Sequence, residues 1–187
     1  MALRTVSLLA LGLMGFAASP TDFNPLMSVV RETWPERNHI GVVCNYEKSK
    51  EDVDKLAAVA GSQSVITVLD VRTSDSANLA VTLLRQRKAD FLVLMPNDPN
   101  YGEGSFQGTR VVGGLAKAGI PSVGTGPLSI QQGAVFAIGA FSKGELLVTD
   151  KLRGTVSVIL PDKVTFSRAG ASTASASGAK IEVLGLN

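Results

Sequence analysis

The 187-residue chain has few of the residues on which disulfide frameworks and metal sites depend. It contains one cysteine, Cys44, and one histidine, His39. A single cysteine excludes an internal disulfide, and no second histidine is present to complete a zinc site with His39. The carboxylates show no recognisable calcium-binding spacing. We therefore expect no metal site, and we assign no cofactor.

Charged residues and catalytic motifs are also sparse. The 18 basic and 16 acidic residues nearly balance, and no cluster of Lys or Arg provides the electrostatic footprint of a nucleic-acid-binding surface. Neither Ser105 nor Ser129 lies in the Gly-x-Ser-x-Gly turn of a hydrolase nucleophile. Cys44 ends an apolar run without a visible partner base, as a buried thiol does. We therefore expect a protein that is not an enzyme and does not bind nucleic acid.

The first 20 residues combine one positive charge at Arg4, an apolar run over residues 6–18, and small residues followed by Pro20. This three-part pattern is typical of a secretory signal peptide, and the run is too short to span a bilayer comfortably. We expect residues 1–19 to be a signal peptide, with a first helix packed on the domain as the alternative. No second apolar stretch reaches transmembrane length. The mature protein is therefore expected in the periplasm or outside the cell, without a stable membrane span.

Short apolar runs alternate with segments of helical periodicity through residues 20–166, which we interpret as a single domain. Strands that alternate with helices imply βαβ units and a parallel sheet that is covered on both faces. The sequence predicts a three-layer, doubly wound α/β fold with a mostly parallel five-stranded sheet of order 2-1-3-4-5. The five predicted strands are residues 39–44, 64–71, 90–95, 119–126 and 134–139.

Two of the predicted helices follow the ends of the first and third strands. The helix after the first strand is expected to begin at Ser49, which with Asp52 resembles a capping box. The helix after the third strand is expected to place Phe106 on its buried side, together with Val112 and Leu115.

The pattern weakens after residue 139. Residues 145–149 fit either a strand or a helix, and we favour a helix through residue 152 because glycines bracket it, while residues 156–166 are compatible with an edge strand. Residues 167–187 are interpreted as a tail, because up to residue 180 they are almost all Ala, Ser, Gly and Thr, the composition of a flexible linker. The apolar residues 181–186 are expected to dock at a place that the sequence does not identify.

Six motifs follow one another along the chain: Leu26-Met-Ser-Val-Val-Arg-Glu-Thr-Trp-Pro, His39-Ile-Gly-Val-Val-Cys-Asn-Tyr, Ala89-Asp-Phe-Leu-Val-Leu-Met-Pro-Asn-Asp, Ala118-Gly-Ile-Pro-Ser-Val-Gly, Gln132-Gly-Ala-Val-Phe-Ala-Ile-Gly and Ile159-Leu-Pro-Asp-Lys-Val-Thr-Phe. In this order they resemble one lobe of the type 1 periplasmic solute-binding proteins of ABC transporters, in particular the second lobe. The resemblance covers about residues 23–166. It implies an exported, non-catalytic ligand-binding module with one lobe, in which a second copy or a partner completes the site.

The resemblance also implies that the ligand binds at the loops after the strands. Asn and Asp offer directional hydrogen bonds there, and Tyr or Phe can stack on a ring. The alternative is that these residues only form turns. The glycine-rich segments 102–104 and 124–126 lack the spacing of phosphate-binding loops, so we interpret both as turns. The ligand-facing residues predicted in this way are Asn45, Tyr46, Asn97, Asp98, Thr125 and Phe141, with Ala140 beside the last.

Two functions remain open at this point. The first is the capture of a small molecule by one lobe, with a second copy forming a homodimer or an envelope protein supplying the other wall. The second is a structural or regulatory envelope protein that uses the same lobe as a scaffold for protein interactions.

Overall fold

The computed structural model describes residues 21–73, 76–138, 147–148 and 178–186. In this part of the chain helices and strands alternate as the sequence predicts. The helices are α1 (Asn24–Thr33), α2 (Tyr46–Ala60), α3 (Ala77–Gln86), α4 (Phe106–Lys117) and α5 (Pro127–Gln132). The strands are β1 (His39–Cys44), β2 (Val65–Val71), β3 (Phe91–Val93), β4 (Ser122–Gly124), β5 (Phe136–Ala137), β6 (Leu147–Val148) and β7 (Lys180–Leu186).

The described strands form one sheet of order β6-β5-β4-β3-β1-β2-β7. Six of them run parallel, and β6 pairs antiparallel with β5. This confirms the α/β, doubly wound architecture. The strand count of five and the order 2-1-3-4-5 differ from what is observed, because β6 and β7 extend the sheet beyond the five expected strands at its two edges.

Helices cover both faces of the sheet and produce two apolar cores. Residues of α1 and α2 pack against Ile40, Val42 and alternate residues of the neighbouring strands on one face. Residues of α3 and α4 pack against Val43, Leu69 and their neighbours on the other face. Burial on both faces explains why β1 and β2 have continuous apolar sequences rather than an alternating pattern.

The start of α2 differs from the prediction. The helix begins at Tyr46, and the side chain of Asn45 caps it by accepting a hydrogen bond from the N–H of Lys48. The expected capping box of Ser49 and Asp52 is therefore wrong, because both residues already lie inside the helix. The segment that follows β1 is a helix cap rather than a free loop.

Two further segments correct the interpretation of the second half of the chain. Leu147 and Val148 pair with β5 as a strand, not as part of a helix over residues 145–152. Residues 181–186, placed in the tail by composition, belong to β7 and pair in register with β2. The signal peptide predicted over residues 1–19 lies outside the described residues. No described helix is long and apolar enough to cross a membrane.

An aromatic cluster fixes α1 on the sheet. The ring of Trp34 lies 5.9 Å from that of Phe91 in β3 and 5.4 Å from that of Phe136 in β5, measured between centroids. The guanidinium carbon of Arg37 lies 4.9 Å from the centroid of the Trp34 ring on its outer side. Aromatic pairs at such distances stabilise beyond the area that they bury.

Replacing Phe91 by alanine should lower the free energy of unfolding by about 3–5 kcal/mol, because the side chain is fully buried and its removal leaves a cavity under Trp34. Urea unfolding measures the change. The matched control is Phe106→Ala, at a phenylalanine that is 75% exposed, where we expect a change of about 0.5 kcal/mol or less. Equal losses in the two variants would contradict the packing described here.

Candidate functional site

The loops that the sequence predicts as a binding site lie along one edge of the sheet. The strands β1 to β4 run parallel, so their carboxyl ends point in the same direction. We call this the carboxyl edge and define it by residues 45–46, 70–73, 96–106 and 125–128. In open α/β sheets ligands bind at this edge.

The carboxylate of Asp98 holds the centre of the carboxyl edge together. Its side chain is buried, and Oδ2 accepts hydrogen bonds from the N–H of Asn45 at 2.7 Å and the hydroxyl of Ser49 at 3.4 Å. Oδ1 accepts from the N–H groups of Asn100 at 3.0 Å and Tyr101 at 2.7 Å. A carboxylate is stable in the interior only when such donors surround it. Asp98 therefore connects the loop after β3 to the start of α2 and is not open to a ligand.

A second carboxylate occupies the start of α2. The N–H of Tyr46 donates to Oδ1 of Asp70 at 2.9 Å, and the guanidinium of Arg72 lies 3.4 Å from Oδ2 of the same residue. Free N–H groups at the start of a helix commonly bind anions. Here the N–H groups of Asn45 and Tyr46 donate to carboxylates of the chain itself. An added anion would therefore meet negative charge at this position.

A third carboxylate, that of Glu103, occupies the glycine-rich turn after β4. Oε1 accepts hydrogen bonds from the N–H and the hydroxyl of Thr125, and the N–H of Gly126 also donates to the carboxylate. A Cβ added at Gly124 would lie 2.3 Å from the Cβ of Ser129 and 2.8 Å from Oε1, and one at Gly126 would lie 2.9 Å from Oε2. Gly124 is needed chiefly because of Ser129, and at both positions the absence of a side chain lets the carboxylate approach the backbone. Burial raises the pKa of Glu103, although the hydrogen bonds from Thr125 and Gly126 oppose the rise.

The loop that carries Glu103 is itself held by Gln132 of α5. The side-chain oxygen of Gln132 accepts from the N–H of Gly104 at 2.9 Å, and its nitrogen donates to the carbonyl groups of Gly102 and Ser105. A Cβ at Gly102 would lie 2.3 Å from the carbonyl oxygen of Met95, so only glycine fits there. The loop is therefore a defined structure fixed at several points.

The exposed side chains of the carboxyl edge include two large apolar ones and one amide. Phe106 is 75% exposed, and Leu128 is 48% exposed and lies against Gly104. Asn97 is also exposed, and its amide nitrogen donates to Asp52 at 2.9 Å. The expectation that Phe106 is buried is wrong, since it occupies the first position of α4, above the core. We call these three exposed side chains, two apolar and one amide, the exposed patch.

The groups that could act in catalysis are not arranged for it in the described residues. Burial, followed by the charge of Asp98, raises the pKa of the Cys44 thiol to about 12, so the thiol is protonated at neutral pH. His39 lies at the amino end of β1, away from the carboxyl edge, and its ring bonds to the hydroxyl of Thr67 at 2.8 Å. No group of three His, Cys, Asp or Glu residues that could hold a metal ion occurs in the described part of the chain.

The structure brings together five of the six predicted site residues, although their exposure differs. Asp98 and Thr125 are buried and bond within the protein, while Tyr46 is half-buried against the core on the side of α1 and α2. Phe141 and the neighbouring Ala140 lie outside the described residues. Sequence reasoning missed Glu103, although a lone acid between two glycines was a usable signal. A ligand role for Asn45, Tyr46, Asn97, Asp98 and Thr125 remains a prediction.

Replacing Asp98 by asparagine should destabilise the fold by at least about 2 kcal/mol. Each carboxylate oxygen accepts backbone N–H groups, so the NH2 group that replaces one oxygen would be a donor facing donors. Urea unfolding at neutral pH measures the loss. The matched control is the adjacent Asn97→Ala, which removes one part-buried hydrogen bond and should cost about 1 kcal/mol. A loss for Asp98→Asn no larger than that of the control would show that the carboxylate does not organise these loops.

The raised pKa of Glu103 predicts a dependence of stability on pH. The folded protein holds the Glu103 proton more tightly than the unfolded chain, whose value is near 4.5. The contribution of this group to stability is therefore complete below that pH and is lost as the pH rises through the folded-state pKa. The comparison is with Glu103→Gln, which does not titrate. The free energy of unfolding of the wild type, minus that of the variant, should be larger in acid than at neutral pH. The opposite trend would mean that the hydrogen bonds outweigh burial.

Comparison with known proteins does not assign the chain to a family. No family model matches the sequence, and a search of curated proteins finds no significant match. The resemblance to solute-binding proteins therefore rests on the order of the sequence motifs. The function has to be argued from the geometry of the carboxyl edge.

Proposed function

We propose that the protein is an exported, non-catalytic binding module that uses the carboxyl edge in the manner of one lobe of a solute-binding protein. The observation that carries the proposal is the contrast within this edge. The carboxylates of Asp98 and Glu103 hold the loops from inside, whereas Phe106, Leu128 and Asn97 are exposed. A rigid set of loops that presents an aromatic ring and an amide is suited to binding.

The electrostatics of the carboxyl edge favour an uncharged ligand. The start of α2 already donates to Asp98 and Asp70, and the turn after β4 already donates to Glu103. A carboxylate or phosphate group placed there would be repelled and would find those donors taken. A flat, uncharged ring can instead stack on Phe106, and Asn97 can bond to its polar edge. We therefore propose a neutral small molecule with a ring.

One carboxyl edge forms only one wall of a pocket. A small-molecule site normally buries most of the ligand surface, and the exposed patch leaves one side of a bound ring in water. We propose that another protein or a second copy supplies the opposite wall. The resemblance to one lobe of a two-lobed protein supports this proposal.

The second candidate function is a structural or regulatory scaffold whose ligand is another envelope protein. Phe106 supports it, since a largely exposed aromatic side chain is a typical anchor in protein interfaces. Both candidates use the same exposed patch. They differ in whether a small molecule binds in the absence of a partner.

Export and the absence of catalysis are further parts of the proposal. Export rests on the signal-peptide pattern of residues 1–19. The lack of catalysis is supported by the protonated, buried thiol of Cys44 and by the distance of His39 from the carboxyl edge. Nucleic acid is not proposed as a partner, because the charges of the chain nearly balance.

A thermal-shift screen tests the small-molecule function. We expect a pool of uncharged purines, nucleosides or sugars to raise the melting temperature, and pools of organic acids and phosphates to leave it unchanged. Phe106→Ser and Leu128→Ser should abolish the rise. Leu79→Ser is the matched control, because Leu79 is 49% exposed, similar to Leu128 at 48%, but lies on α3, outside the carboxyl edge.

Two outcomes would contradict the small-molecule proposal. If no neutral pool raises the melting temperature, the exposed patch does not hold a small molecule without a partner, and the scaffold function is favoured. If an acidic ligand binds with full affinity in both patch variants, the argument from charge is wrong.

A further inference from the structure

The outer edge of β7 is a surface that the proposed function does not use. In the described part of the chain β7 is the last strand of the sheet and pairs only with β2. The N–H of Lys180 donates to the carbonyl of Ser64, next to β2, so the backbone groups of residue 180 point inward. Backbone N–H and C=O groups point to alternate sides along a strand, so those of Glu182, Leu184 and Leu186 also point to β2. The N–H and C=O groups of Ile181, Val183 and Gly185 point away from the sheet.

The side chains around this free edge are unusually apolar for a surface. Val183 is 41% exposed and shares a face of the sheet with Ile181, which packs against the core. On the other face, Arg87 at the end of α3 bonds to Glu182 at 2.8 Å. Leu79, near the start of α3, is also 49% exposed.

Four large apolar side chains are exposed in the described residues. Phe106 and Leu128 lie on the carboxyl edge, Leu79 lies on α3, and Val183 lies in β7 itself. A straight edge strand with unpaired N–H and C=O groups and exposed apolar neighbours is a template for strand pairing. The lysine that often protects such an edge is present only at its first residue, Lys180.

We propose that β7 pairs with β7 of a second copy, antiparallel, about a two-fold axis through Val183. In this register each Ile181 lies opposite Gly185 of the second copy, and the two Val183 residues lie opposite each other. These three positions are the ones whose backbone groups point outward, so they form the hydrogen-bonded pairs. All seven residues of β7 then take part.

The charges of β7 select this register over its neighbours. With the axis at Val183, Lys180 faces Leu186 of the second copy and Glu182 faces Leu184, so no like charges meet. An axis at Glu182 would place the two Glu182 carboxylates opposite each other, which destabilises a strand pair. An axis at Ile181 pairs Lys180 with Glu182 but leaves the second half of the strand unpaired. The register at Val183 is therefore self-complementary over the greatest length.

This dimer has a consequence for the binding module. Antiparallel pairing joins two seven-stranded sheets into one continuous sheet and turns their carboxyl edges in opposite directions. A second copy bound at β7 therefore does not supply the missing wall of the site. That wall must come from a different protein or from a copy bound at another surface. The dimer itself does not depend on ligand binding, so the two proposals can fail separately.

Sedimentation of the purified chain and three variants at Val183 tests the dimer. We expect the wild type and the β-branched control Val183→Thr to be dimers. Val183→Lys and Val183→Glu should be monomers, because two like charges would meet at the axis. Mixing the two charged variants should restore a dimer that contains one copy of each, since Lys then faces Glu. The thermal-shift screen can be repeated on the monomeric variants and should be unaffected.

Hydrogen exchange gives a readout that does not depend on any substitution. In the wild type the amides of Ile181, Val183 and Gly185 should become more protected as the protein concentration rises, while that of Glu182 is protected throughout. A monomeric wild type at high micromolar concentration would overturn the proposal. So would a dimer whose three outward amides exchange freely, or a Val183→Lys variant that still dimerises without its Glu counterpart.

Discussion

The arrangement of the carboxyl edge depends on a buried carboxylate that is satisfied by backbone N–H groups. Asp98 receives donors from the loop after β3 and from the start of α2, two segments that are 53 residues apart in sequence. Burying the carboxylate is costly, and only the combined donors of both segments offset that cost. The loop and the helix can therefore be ordered only together. Glu103 makes the same kind of link: its carboxylate, in the loop after β3, accepts the N–H of Thr125 in the turn after β4.

This use of carboxylates decides what the edge can bind. In many α/β proteins the helix starts and glycine-rich turns at this edge present N–H groups to an anion. Here Asp98, Asp70 and Glu103 occupy the equivalent donors. The N–H groups that could bind an anion hold the loops in place instead, and the proposed function therefore assigns recognition to the exposed Phe106 and Leu128. That exchange is the physical basis of the proposed preference for an uncharged ligand.

The sequence predicts the parts of the structure that are governed by local pattern. The strands β1 and β2 are found where continuous apolar runs predict them. The sequence does not predict β7, because the pairing with β2 brings residues 65–71 next to residues 180–186, and the apolar pattern of the latter indicates docking without identifying the partner strand. The roles of Asp98 and Glu103 are missed for the same reason. Their partners are close only in the folded chain.

The free edge of β7 and the carboxyl edge also differ in how their apolar residues came to be exposed. Phe106 is exposed because a glycine-rich loop and a Ser105 cap place the first residue of α4 above the core. Val183 is exposed because β7 ends the described sheet, so nothing described lies beyond it. The carboxyl edge is built from loops whose side chains can match a different molecule, whereas the edge of β7 is a strand backbone that can pair with a copy of itself about a two-fold axis. The carboxyl edge therefore suits a dissimilar partner, and the edge of β7 suits an identical one.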